Sequence, residues 1–242
     1  MNELFILEIP LDPAALTRFL YAQGLIHPYG DADIGYGAHA WLKAAFGRNA
    51  PKPFRVFVKN GRPPRVLAYS AYSAEALGEC LSNFADPGVY AVCHPELMAG
   101  RTMPVLQAGR RLDFEVLCCP IARKSRTGRE KDLFLVKGDH DGPGSARLDR
   151  AEIYGGWLRD RLIPAAQVLD VRLEGFRLVR QTRRAGPGGR PNRKKVYLTR
   201  PHVLLRGKCA VQDSEGFMNL LAKGVGRHRA FGYGMLLLRP PS

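Results

Sequence analysis

Two stretches of this chain carry strand-like and helix-like segments in the same order, and that order leaves few folds open. In the first, Leu4-Phe5-Ile6-Leu7-Glu8-Ile9 is an apolar, β-rich opening. Residues 13–20 allow one or two helical turns, and residues 24–35 are loop-like. Residues 36–46 place apolar side chains at 38, 41, 42, 45 and 46, the i, i+3, i+4, i+7, i+8 pattern of an amphipathic helix that Gly47 ends. Strands are predicted at 54–58 and 66–70, a helix at 74–84 behind Ser73, and a short strand at 89–93. In the second stretch, residues 111–117 alternate as a half-buried strand, residues 139–145 are a polar, glycine-rich loop, and a helix at 150–162 stops before Pro164. A long strand region at 168–181 follows, then returning strands at 195–199 and 202–211, a helix at 215–223 and a last strand at 235–238. Both stretches read β-α-β-β-α-β. The expectation is an α+β chain of two tandem ferredoxin-like (RRM-like) domains, residues 1–96 and 109–242. Residues 97–108, which carry Gly, Pro and Met without a period, are the predicted linker.

Near the end, Gly224-Val225-Gly226-Arg227-His228-Arg229-Ala230-Phe231-Gly232-Tyr233-Gly234-Met235 sets two Gly-x-Gly pairs around a basic, aromatic centre. Glycine allows positive φ and close approach of a ligand to the backbone. Such a loop is expected to expose several N–H groups beside the cations, chemistry suited to phosphate. The order here is helix, glycine loop, strand. A dinucleotide fingerprint needs strand, loop, helix and a second strand, so that reading fails. A glycine-lined connection with no ligand is the alternative from glycines alone.

The formal charge of +15 is concentrated. From residue 172 onward there are 16 Lys/Arg against three Asp/Glu, which leaves +13 of the total in that part. A field this lopsided points to a polyanion. The basic segments are strand-like rather than amphipathic helices, which favours nucleic acid over a membrane surface. Two basic, glycine-containing loops stand out: residues 123–129, with Arg123, Lys124, Arg126 and Arg129, and residues 183–195, with Arg183, Arg184, Arg190, Arg193, Lys194 and Lys195. The five cysteines are odd in number with no CxxC pair, so neither a disulfide framework nor a zinc site is expected. Free thiols and the lack of a leader or a run of 18 apolar residues point to the cytoplasm.

On the predicted helix at 36–46, Tyr36, His39 and Lys43 fall within roughly 60° of one another at about 100° per residue. They form a polar stripe beside the buried face. His39 there reads as a boundary histidine or as a proton-transfer group, since its ordinary pKa lies near neutrality. Tyr36 also reads as a helix-start aromatic and Lys43 as a solvated lysine. Trp41, Phe46, Trp157 and Phe217 sit at helical spacings and are expected in the core. The acids are scattered, against a two-metal carboxylate nuclease.

Tyr36-x-x-His39 on an early helix, combined with Gly224-Val225-Gly226-x-x-Arg229-Ala230-Phe231-Gly232-Tyr233-Gly234-Met235, resembles the CasE-like CRISPR RNA endonucleases of the RAMP superfamily. Gly109-Arg110-Arg111-Leu112-Asp113-Phe114 is similar to that family's central strand. Cys119-Pro120 leading to Gly128-Arg129 is similar to its basic loop, and residues 154–162 to its Trp-Leu helix. The resemblance spans nearly the whole chain. It implies metal-independent cleavage of a CRISPR repeat, retention of the mature crRNA and assembly with other effector-complex subunits, with no cofactor and no metal. His39 is then the candidate base or acid, Tyr36 an orienting group, and Lys43 or a glycine-loop arginine the charge stabiliser. RNA contacts are expected from the two basic loops and from Gly224, Gly226, Arg227, His228, Arg229, Gly232 and Gly234. The extra histidine His228 and the Gly/Pro/Arg-rich tip at 183–195 are departures. They leave open the subtype, a type IV relative included, and which of His39, His228 or an arginine carries the chemistry. The competing reading is a non-catalytic RNA-binding RAMP subunit, or a general basic RNA-binding protein.

Overall fold

In the computed structural model, which describes residues 3–25, 34–123, 128–141, 148–184 and 195–241, the chain forms two four-stranded antiparallel sheets. The first half runs β1 (Phe5–Pro10), α1 (Pro13–Ala22), α2 (Ile34–Phe46), β2 (Phe54–Lys59), β3 (Arg62–Ser70), α3 (Ala74–Phe84), the single turn α4 (Pro87–Tyr90) and β4 (Ala99–Thr102). The second runs β5 (Arg111–Cys118), β6 (Ile121–Arg123), β7 (Glu130–Asp132), α5 (Leu133–Asp141), α6 (Arg150–Leu162), β8 (Ala166–Arg184), β9 (Lys195–Val211), α7 (Ser214–Lys223) and β10 (Leu236–Arg239). The sheet orders are β2-β3-β1-β4 and β10-β5-β9-β8. In each, the first strand lies between the third and fourth and the second strand takes an edge. This is the ferredoxin-like arrangement, made twice.

Local chemistry accounts for the helices that carry the sheets. Asp12 caps α1, its carboxylate accepting from the Ala15 N–H at 2.6 Å, with Pro13 in the first turn. Ser73 caps α3 in the same way. The apolar stripe of α2 is buried as its spacing predicts: Ala38, Trp41, Leu42, Ala45 and Phe46 join Leu7 and Ile9 of β1 in the first core. Trp41 is fully enclosed, and its indole N–H donates to the Val89 carbonyl at 2.9 Å. Burying a side chain of this kind contributes about 2–3 kcal/mol. In the second core, Trp157, Leu158 and Tyr154 of α6 and Phe217 of α7 pack on Phe114 and Val116 of β5 and Leu205 of β9.

Three expectations are corrected. Residues 89–93 are not a strand: Asp86-Pro87 starts the helical turn α4, and Val89, Val92 and Cys93 are buried in its wake. The fourth strand is instead Ala99–Thr102, inside the stretch expected to be linker, where it pairs with β1 from Phe5↔Thr102 to Glu8↔Ala99. All four of its residues are exposed on an edge, so no apolar alternation announces it. Residues 139–141, expected in a polar loop, end α5.

The halves are tied together by buried polar contacts. Tyr69 of β3 sits in the second core, and its hydroxyl donates to the Leu236 carbonyl of β10 at 2.8 Å. Glu115 of β5, 6% exposed, accepts from Arg55 of β2 and Arg206 of β9. Burial alone would raise its carboxyl, but Arg206 and Arg55 together hold it below the usual range.

Candidate functional site

The polar stripe of α2 meets the glycine loop at one aromatic ring. Phe231 lies in a short 3-10 turn, Arg229–Phe231, inside the loop. Tyr36 stacks on it with ring centroids 5.7 Å apart and planes 12° apart, and His39 meets it edge-on at 5.4 Å and 64°. His228 lies 5.9 Å from the same ring. Tyr36, His39 and His228 are thus brought together by Phe231. Lys43, one turn further along α2, is exposed. The His39 pKa is lowered from its ordinary value by burial, then by the charges of Lys43 and Lys52. At neutral pH the ring is therefore neutral and able to accept a proton.

The loop's backbone explains its glycines. Gly224, Gly226, Gly232 and Gly234 all have positive φ. At Gly226 (φ +75) a Cβ would stand 2.8 Å from the Trp157 ring, and at Gly234 (φ +80) 2.2 Å from the Val225 carbonyl oxygen. Both positions require glycine for conformation and for space. The expectation that the loop turns its N–H groups outward is corrected at four positions. The Gly224 N–H donates to Leu220, Val225 to Gly234, Phe231 to His228 and Gly234 to Leu117, at 2.7–2.8 Å. Gly224, Gly232 and Gly234 are buried. These glycines pack the loop against α6, β2 and β5, and the cations are what it displays.

Beside Phe231 opens a groove of roughly 1240 Å³. Its walls carry Lys52, Arg123, Arg129, Lys223, Arg227 and Arg229, with Arg200 and Glu130 deeper. Arg229 donates to the Lys223 carbonyl, which fastens the loop to the end of α7. Arg123 donates to the Gly128 carbonyl at 3.3 Å at the loop end of the β6–β7 ribbon. The basic loop at 123–129 is the connection of that ribbon, and Lys124 and Arg126 lie outside the described residues. Glu130 pairs with Arg200 at 2.7 Å, Arg227 at 3.2 Å and the His228 ring at 3.1 Å. Burial lowers the His228 pKa; Glu130 opposes that, while Arg200 and Arg227 add to it.

The second basic segment ends the long β8–β9 hairpin. Pairing runs to Arg184↔Lys195, and Arg190, Arg193 and Lys194 lie outside the described residues. For Arg183, Arg184 and Lys195 the structure describes the backbone pairing alone. Leu198, a groove residue, pairs with Gln181. Arg184 is three residues further, so the hairpin reaches about 10 Å past the groove.

Four contributors were invisible in sequence. Phe231 stood in the motif without a role, and Lys52, Arg200 and Glu130 sat in no pattern. Glu130 is adjacent to a basic loop, but its partners are 70 and 98 positions away. Among the described residues no three His, Cys, Asp or Glu side chains are grouped to hold a metal ion.

Solved structures share this fold. The chain is similar to the CRISPR endoribonuclease Cse3 bound to a 19-nucleotide RNA, with 21% identity, 98% of this chain and 100% of that one covered, and a TM-score of 0.65. It is similar to Thermus thermophilus Cse3 bound to an RNA representing a pre-cleavage complex, at 20%, 98%, 100% and 0.63. A chain of a CRISPR RNA-guided surveillance complex in a pre-nicking state matches at 15%, 97%, 100% and 0.56. No curated protein matches the sequence. The profile described as CRISPR associated protein matches residues 4–240, and on that near-complete match the chain belongs to the CRISPR-associated protein family.

Proposed function

We propose that this protein is a metal-independent endoribonuclease that cleaves CRISPR repeat hairpins by attack of the substrate's own 2′-OH and stays bound to the mature crRNA. The observation that carries the reading is the meeting of Tyr36 and His39 with Phe231 at the end of a cationic groove. Family membership and the likeness to Cse3 bound to RNA support it. They also support a place among other effector-complex subunits.

The chemistry needs a base for the 2′-OH, an acid for the departing 5′-oxygen and positive charge on the developing phosphorane. His39, kept neutral by burial and by its lysine neighbours, accepts the 2′-OH proton. The 2′-oxygen bonds to phosphorus as the bond to the 5′-oxygen breaks, and that oxygen takes a proton from solvent water as it leaves, while His39 returns the 2′-OH proton to solvent. The products are a 2′,3′-cyclic phosphate and a 5′-hydroxyl. Tyr36 orients the histidine or the phosphate. Lys43 and the loop arginines face the charge that develops. The groove cations hold the phosphate backbone, and the β8–β9 hairpin extends that grip along the RNA.

The test is purified protein with a CRISPR repeat RNA in EDTA, beside the same RNA with a single 2′-deoxy sugar upstream of the cut. Cleavage in EDTA that the 2′-deoxy sugar blocks, with binding near normal, is the expected result. Cleavage that requires Mg²⁺, or that proceeds at the same position in the deoxy substrate, refutes the mechanism. Selective binding without any cleavage identifies a non-catalytic RNA-binding subunit instead.

A further inference from the structure

Among the groove's cations sits one largely enclosed acid. Glu130 begins β7, and its side chain is 11% exposed. Its Oε1 faces Arg227 Nε at 3.2 Å, and its Oε2 takes both Arg200 Nη2 at 2.7 Å and the His228 ring Nε2 at 3.1 Å. Arg200 is buried as well, and its Nη1 also reaches the Glu130 carbonyl at 3.4 Å. For a surface that holds a polyanion, a carboxylate here is a cost in affinity: it screens the arginines that would face phosphate. What it contributes must therefore be something other than attraction.

The backbone shows what that is. His228 has φ +61, the one non-glycine residue with positive φ among the described residues. Such a conformation is uncommon for a side-chain-bearing residue and persists where the surroundings hold it. The Phe231 N–H donates to the His228 carbonyl at 2.8 Å, and the His228 side chain meets Glu130 at Nε2 and the Phe231 ring at 5.9 Å; that ring packs on Tyr36 and His39 and on the cluster of Cys119, Ile121 and Tyr233. The chain of contact runs Glu130, His228, Phe231, His39.

We propose that Glu130 is a positioning residue, which holds Arg227 and His228 in place and, through His228 and Phe231, keeps the His39 ring in its working orientation. This rests on the endoribonuclease reading. It makes a prediction about cleavage that simple electrostatics does not. If Glu130 only screened the groove, removing its charge would tighten RNA binding and leave cleavage intact. As a positioning residue, its loss leaves binding no weaker and impairs the chemistry.

The experiment compares Glu130→Gln, Glu130→Asp and the wild type by three readouts: NMR titration of the His228 imidazole in the free protein, binding of an unrelated single-stranded RNA, and single-turnover cleavage of repeat RNA. The charged groups facing His228 are Glu130 from β7, Arg200 from β9 and Arg227 from its own loop. Glu130→Gln removes the group that raises the His228 pKa and keeps the two arginines that lower it, so His228 titrates at lower pH than in the wild type. Cleavage slows at least tenfold, while the unrelated RNA binds as tightly or more tightly, with a salt slope steeper by about 0.7 for the one charge removed. Glu130→Asp, which keeps the carboxylate, recovers part of the rate and moves the His228 titration back. If the unpaired Arg200 guanidinium unfolds the single variant, Glu130→Gln combined with Arg200→Gln removes that burden and must show the same loss of rate. Wild-type cleavage by a folded Glu130→Gln variant, or an unchanged His228 titration, overturns the proposal. Should the wild type itself fail to cleave repeat RNA, the endoribonuclease reading falls, and the His228 titration alone decides whether Glu130 holds the loop.

Discussion

Replacing Phe231 with leucine keeps apolar bulk in the glycine loop and removes the ring on which Tyr36 and His39 meet. The stacked pair with Tyr36 and the edge-on pair with His39 are both lost. Aromatic pairs are worth about 0.5–1.5 kcal/mol each beyond their area. Phe231 is only half-buried, which puts the two at the lower part of that range, about 1–2 kcal/mol together. For a chain of this size that lowers the melting temperature by about 2–8 °C. If the same energy holds His39 in its working orientation, its loss reduces the correctly oriented fraction by a factor of about 5–30. The single-turnover cleavage rate of Phe231→Leu, measured with protein in excess, should fall by that factor, with the Kd for repeat RNA unchanged within about threefold. The deciding measurement is a double-mutant cycle. In a His39→Ala background the substitution should have no further effect on rate, because the ring it orients is gone. An equal fold-loss in both backgrounds, or a Kd loss as large as the rate loss, would refute the argument that Phe231 acts through His39.

His39→Ala should bind repeat RNA within a few-fold of wild type and cleave about 10²–10⁴-fold more slowly, whereas His228→Ala should show a smaller loss of rate and a modest loss of binding; the reverse pattern would move the active site into the glycine loop. With His39 as base, the rate should rise with pH through a pKa below the ordinary imidazole value of about 6.5 and then level off. Lys43→Gln and Lys52→Gln remove charges that lower it, so each should move the inflection upward; an unmoved inflection excludes them as neighbours. Replacing Arg183, Arg184, Arg193 and Lys194 with alanine should weaken binding and flatten the log–log salt slope by about 3 if all four face phosphates; wild-type affinity and slope would exclude the tip as an RNA grip. Burial, then Arg177 and Arg55, push His202 down to about 4. Because the unfolded value is about 6.5, the neutral ring's contribution is fully present above that pH and is lost as pH falls through 6.5 toward 4. Thermal melts across that window should show the decline, and His202→Gln should flatten part of it.

The fold was largely legible because both halves write their periods plainly. The α2 stripe, the alternation in β5 and the helix of residues 150–162 each follow from which positions are apolar. β4 was missed because its four residues face solvent on both sides of an edge, leaving nothing to alternate. Residues 89–93 look like a strand in composition, but Asp86-Pro87 starts a helical turn ahead of them. At the site, the spacing of Tyr36 and His39 is a property of one helix and could be read directly. The glycine loop could be read as a tight turn, but not the direction its N–H groups take. That direction depends on partners in α7 and β5, which the local pattern does not contain. Glu130 shows the same limit more sharply: one acid beside a basic loop carries no mark of the two arginines and the histidine that converge on it from elsewhere in the chain.

The ring contact between His39 and Phe231 joins residues 192 positions apart. During synthesis the helix with His39 leaves the ribosome early, and the N-terminal sheet, made of local pairings, is free to form first. Its strand β3 then holds Tyr69 out toward a core that does not yet exist, since β10 supplies both its hydrogen-bond acceptor and part of its packing. The long-range closure that seats the glycine loop is the slowest kind of contact to make. The meeting of Tyr36 and His39 with Phe231 is thus the last part of the site to assemble, and each nascent copy spends most of its synthesis with a foldable first sheet and no such meeting.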